Sequence, residues 1–181
     1  MTAVAVAGHH RSRKRLVARA SLRRGFTLIE LLVTMAILAI LATVAVPSFN
    51  EAILSNKLAS FANNFVASAH LARSEAIKRN AVVTLCRSAN GAACAASGGW
   101  QQGWIVISGT SVIQRQQALS PDYLLTGNVY SIAFQSIGAG ATPATLKLCR
   151  ATPSPGSQER EIIVSATGRT SVSTTRTGAC S

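Results

Sequence analysis

A single carboxylate, Glu30, sits inside an otherwise apolar run from Phe26 to Val46, where the only other polar side chains are Thr27, Thr34 and Thr43. An ionised carboxylate within a membrane span costs about 2–3 kcal/mol near its centre and less near an end, so Glu30 calls for a partner of opposite charge. The chemistry implied is ion pairing in an apolar medium. Catalysis has no comparable signal. Beyond the run the acids are Glu51, Glu75, Asp122, Glu159 and Glu161 and the only histidine is His70, a set that suggests no Ser-His-acid group and no paired carboxylates. A non-enzymatic protein without a cofactor is expected.

Four cysteines form the second chemical group: Cys86, Cys94, Cys149 and Cys180. They are even in number and lack any CxxC pair, and the histidines (His9, His10, His70) lie in the lead-in or on a helix, so disulfides are favoured over a metal site. Of the three possible connectivities, Cys86 with Cys94 and Cys149 with Cys180 is preferred. The first closes a short Asn/Gly/Ser loop, and the second ties down the C-terminal tail. Trp100 and Trp104 belong to no catalytic constellation and are expected to pack in the core and a loop.

The elements that must position these groups begin with the apolar run itself, 21 residues long and sufficient for a membrane span. Before it, the first 25 residues carry seven of the eighteen cations and no acid. By the positive-inside rule that flank stays cytoplasmic and everything after Val46 is exported, to a compartment where disulfides persist. The run exceeds the usual core of a secretory signal, and Pro47 follows it in place of a small-residue cleavage site, so it is read as retained.

Past Pro47, which should kink the helix, apolar residues recur every three or four positions at Leu54, Leu58, Phe61, Phe65, Ala69, Ala72 and Ala76. One helix is therefore expected from about Phe26 to Arg79, ended by Lys78, Arg79 and Asn80. Short β-branched runs separated by turn residues follow: VVTLC, GWIVISG, VIQRQQ, VYSIAFQ, TLKLC and REIIVSA. The fold class is α+β, a long N-terminal helix packed on one antiparallel sheet of five to seven strands. Four segments result: residues 1–25 a basic leader, 26–46 the spanning half of the helix, 47–79 its amphipathic half, and 80–181 a β-rich globular domain.

The stretch GFTLIELLVTMAILAILATVAVPSF closely resembles the N-terminus of type IV pilins and of the pseudopilins of type II secretion. LCRSANGAACAASGGWQQGWIVI and REIIVSATGRTSV resemble the GspH/FimT group among them. The resemblance implies cleavage by a prepilin peptidase between Gly25 and Phe26 and N-methylation of Phe26. It also supplies a partner for Glu30, the terminal amine of a neighbouring subunit joining the filament. The implied protein is a minor pilin of the inner membrane, its domain in the periplasm, taking part in assembly or at the tip of a pilus. Its partners are other pilin or pseudopilin subunits and the peptidase. A minor pseudopilin of a type II secretion system is the alternative.

From Leu54 onward eleven cations face four acids, a surplus of seven that suits a polyanion. Some FimT-like proteins bind DNA through a Gly-Arg-any-Arg motif near the C-terminus. The matching positions here are Gly168, Arg169, Thr170 and Ser171, with serine where the second arginine stands in the motif. The candidate contacts to double-stranded DNA are Arg169 and Arg176 on the tail with Arg150, Lys147 and Arg160, binding phosphates without reading sequence.

Overall fold

A computed structural model describes residues 25–153, 155–175 and 180. They fall into two units divided between Ala42 and Thr43. Helix α1, Leu28–Arg79, starts in the first unit and continues in the second. Its apolar part is long enough and greasy enough to cross a membrane, and every side chain from Phe26 to Ala42 is exposed. Such a surface is stable only against lipid or other apolar helices.

In the second unit α1 keeps its helical assignment through Pro47, which removes only one backbone donor. The buried stripe is Leu54, Leu58, Ala62, Phe65, Ser68, Ala69, Ala72 and Ala76, with Phe61 half-buried beside it. The large residues lie towards the start of this stripe and the alanines towards its end. Asn80 stops it with φ 49°, its N–H donating to the Ile77 carbonyl and that of Ala81 to Ala76, both at 3.2 Å. This left-handed exit satisfies two of the carbonyls that a helix end leaves bare.

Eight strands follow: β1 Val83–Arg87, β2 Trp104–Ser108, β3 Ser111–Gln116, β4 Tyr123–Gly127, β5 Ser131–Phe134, β6 Ala144–Arg150, β7 Glu159–Val164 and β8 Thr170–Thr175. The single sheet expected from sequence is instead two antiparallel sheets of four, in the orders β3-β2-β1-β5 and β4-β6-β7-β8. Two strands account for the difference. Neither β4 (YLLTG) nor β8 (TSVSTT) has a β-branched apolar run, and β8 has a single apolar side chain, so the sequence does not mark them as strands. β8 is held by its ladder to β7, from Glu159 opposite Thr175 to Val164 opposite Thr170.

One core joins α1 to both sheets. At its centre the Phe65 ring meets Trp100 and Trp104 edge-on, with centroids 5.3 and 5.4 Å away. Each buried indole also finds an acceptor. Trp100 donates to the Val129 carbonyl at 2.9 Å, and Trp104 to the Ser68 hydroxyl at 3.0 Å. Ser68 in turn donates to the Asn64 carbonyl, so the polar group within the stripe is satisfied rather than stranded. Disulfides join Cys86 to Cys94 and Cys149 to Cys180, with Cα separations of 5.5 and 5.6 Å.

Candidate functional site

The N-terminal site is built from Thr27 outward. Thr27 precedes the first helical residue, and its hydroxyl accepts the Glu30 backbone N–H at 3.2 Å. Thr27 and Glu30 thus occupy the two positions of a capping box, a local role that sequence reasoning missed although the T-x-x-E spacing was there to find. Glu30 consequently lies in the first turn, where the helix dipole favours a negative charge. Gly25 and Phe26 precede the helix in extended, exposed chain, with Phe26 81 % accessible.

Among the described residues the candidate cations sit on different elements and faces. Arg169 is exposed, but on no tail: it follows a tight turn between β7 and β8 in which Gly168 donates to the Ser165 carbonyl and Ser165 to the Arg169 carbonyl. Gly168 has φ +75° and lies against Arg73 of α1, whose Cδ and Nε would be 3.4 Å from any Cβ added there. Arg73 donates to the Gly138 carbonyl at 2.7 Å, and His70 bonds the Thr170 hydroxyl at 3.1 Å. The tethered arm expected from sequence is therefore corrected to a hairpin seated on α1, because β8 pairs with β7.

Lys147 and Arg160 project from opposite faces of the β4-β6-β7-β8 sheet, since Leu148 is the residue opposite Arg160 and strands alternate faces. Lys147 lies 3.9 Å from the buried Glu159 carboxylate. Arg160 is 8 % exposed and donates to the Ser55 hydroxyl at 2.9 Å. Arg150, at the end of β6, lines a cleft with Lys57, Asp122 and Thr152. Arg176 lies outside the described residues.

Arg87 is a further cation whose position sequence gave no means to foresee. It is 4 % exposed at the end of β1, stacked 3.6 Å from the centre of the Tyr130 ring. Its guanidinium donates to the carbonyls of Ala95, Ala96 and Gly98, in the segment that follows Cys94 of the Cys86–Cys94 bridge. The loop within the bridge is anchored by the buried Ser88, which donates to the Ala93 carbonyl at 2.6 Å and accepts the Gly91 N–H. Among the described residues no group of three or more His, Cys, Asp or Glu is placed to hold a metal.

Residues 62–168 match the family described as Type II transport protein GspH, and residues 21–46 match the prokaryotic N-terminal methylation motif. No curated protein sequence matches the chain. Among solved structures the chain is similar to the type IV minor pilin FimU of Pseudomonas aeruginosa, at 18 % identity and TM-score 0.52 over 66 % of this chain and 90 % of that one. A second crystal form of FimU gives 17 % identity and TM-score 0.50 over 64 % and 92 %. The minor pseudopilin EpsH of the type 2 secretion system of Vibrio cholerae is similar at 14 % identity over 67 % and 98 %, with TM-score 0.47. At such identities the FimU likeness speaks to the fold alone. The family match, in contrast, spans more than half of the chain and the methylation motif overlies the apolar start of α1, so the chain belongs to the GspH family and is a type IV pilin-like protein.

Proposed function

We propose that the chain is a minor type IV pilin, a structural subunit that helps to initiate or cap a pilus. In this reading a prepilin peptidase cuts between Gly25 and Phe26 and the new amino terminus is methylated. The subunit then waits in the bacterial inner membrane, its basic leader side in the cytoplasm and its domain in the periplasm. On assembly Glu30 meets the terminal amine of a neighbouring subunit, which offsets the cost of its burial. The observation that carries the reading is the union in one chain of a methylation motif over residues 21–46 with a GspH-type domain over 62–168. Mass spectrometry of the mature protein is the test. It should find methylated Phe26 at the terminus, and an intact leader in cells with active peptidase would defeat the proposal.

The family description, a type II transport protein, favours a second reading as a minor pseudopilin of a secretion system. Shearing separates the two. A pilus subunit is released with surface filaments, whereas a pseudopilus subunit stays with the cell envelope. Duplex DNA is a proposed ligand of the pilus form, and its support is narrower than the charge surplus implied. Of the five candidate cations, Arg169 is exposed on a turn, while Arg160 and Lys147 already hold Ser55 and Glu159.

A further inference from the structure

Among the described residues no acid balances the buried guanidinium of Arg87. All of its hydrogen bonds described above go to carbonyls, and the chain's six acids are occupied or placed elsewhere. Glu75 is tied to Lys78 and Arg79, Glu159 to Lys147, Glu51 to Ser157, and Asp122 to Thr152. Glu30 is in the first turn of α1, and Glu161 sits on the same sheet face as Lys147, opposite Ser173. Carbonyl dipoles and the Tyr130 ring soften the desolvation of a guanidinium, but a buried cation is fully compensated only by an anion with hydrogen-bond geometry to match. Three of its five N–H donors are committed to the loop, and a cleft of about 410 Å³ opens beside it. Ser97, Gly98, Gly99, Thr126 and the exposed Tyr130 line that cleft with Arg87.

The geometry points to this cleft as a carboxylate socket, in which Arg87 receives an Asp or Glu side chain from a different subunit of the filament. The inference rests on the filament reading above for its partner, and on the buried charge alone for its chemistry. The occupant follows from complementarity: without the leader the chain keeps eleven cations against six acids, so neighbours that bring acids to it are favoured in a stable array. Clamping by Arg87 holds residues 95–98 in the form that walls the socket, and the short disulfide fixes the chain just before them at Cys94. The site is thus pre-formed, which lowers the ordering cost of docking.

Two measurements test this. In the detergent-solubilised full chain, Ser97→Asp supplies a carboxylate at the socket wall and Ser97→Asn supplies its neutral isostere. The Asp variant should melt about 2–4 °C above the Asn variant, the shift expected for an ion pair worth about 1 kcal/mol in a chain of this size, and it should enter filaments at least tenfold less well. Equal melting temperatures would overturn the socket. In the second arm, Arg87→Lys filaments are treated with a carbodiimide, which condenses the lysine amine with a touching carboxylate to an amide with loss of water. Mass spectrometry should find Lys at position 87 joined to an Asp or Glu of another subunit type, and the link should not form when the filaments are dissociated before treatment. A link to Glu161 of a second copy, or none in variants that fold and assemble, would overturn the occupant. Wild-type chain missing from the sheared filament fraction would sink the pilin reading instead, and the melting comparison would still decide the socket.

Discussion

Glu30 is asked to do two things, to start a helix and to pair with an amine on another subunit, and the structure lets the two be separated. The cap is made by the Thr27 hydroxyl and the backbone N–H of residue 30, so Glu30→Gln leaves that bond in place and removes only the charge. Loss of the charge forfeits about 0.3–1 kcal/mol of dipole interaction in the isolated helix. If Glu30 also makes a charge-assisted hydrogen bond to an amine, about 1.5–3 kcal/mol more is lost on assembly. At about 1.4 kcal/mol per factor of ten this is about a 10- to 150-fold fall in incorporation. Thr27→Ala is the converse. It removes the cap at a cost of about 1 kcal/mol and keeps the charge, so its effect should stay within about fivefold. Immunoblots of sheared filaments, normalised to the membrane fraction, measure both. The reasoning is refuted if Glu30→Gln assembles like wild type while Thr27→Ala does not, for then the carboxylate serves only its own helix.

Removing the Cys149–Cys180 bridge by Ser at both positions should cost about 3–4 kcal/mol, because it closes a separation of 31 residues, and removing Cys86–Cys94, across 8, about 2–3 kcal/mol; urea midpoints should rank them in that order. Glu75 should make stability depend on pH: its carboxyl is held below the ordinary range chiefly by the hydrogen bond from Arg79, with Lys78 assisting against partial desolvation. A depressed folded-state pKa stabilises above the unfolded value and is lost as pH falls through the folded one, so the melting advantage of wild type over Glu75→Gln should shrink between about pH 5 and about pH 3. For DNA, Arg169→Gln in the solubilised chain should lower the log–log salt slope of duplex binding by about 1, while Arg160→Gln should leave the slope alone and lower the melting temperature. A gel shift at two salt concentrations reads the slope, and an unchanged slope for Arg169→Gln removes the β7–β8 turn from any DNA surface.

What was legible in the sequence had its cause in side-chain burial. The stripe from Leu54 to Ala76 and the stop at Asn80 follow from apolar spacing and from a residue tolerant of positive φ, and both stand in the structure. The strands with β-branched runs follow for the same reason. β8 was not legible, since its hold on the protein is a backbone ladder and not its Ser/Thr side chains, and misreading it turned Arg169 from a turn residue into part of a tail. A clue stood in the chain nonetheless: Ser-Ala-Thr-Gly at 165–168 ends in the glycine that a turn of that shape requires.

The cations failed to form a patch for a related reason. A count of charges treats each arginine as a surface group, yet a guanidinium carries five donors on an apolar stem and is drawn to whatever acceptors the backbone leaves unpaired. Arg87 is spent on loop carbonyls and Arg73 on the Gly138 carbonyl, while Arg160 ties β7 to Ser55 of α1. These bonds depend on where loops run, which is tertiary information absent from any pattern of charge. It follows that the surplus of basic residues in this domain measures its loops as much as its ligands, and that binding chemistry belongs first to the cations left in sight of solvent or a cleft, such as Arg169 on its turn, Lys57 and Arg150 in their cleft and Arg87 beside its own.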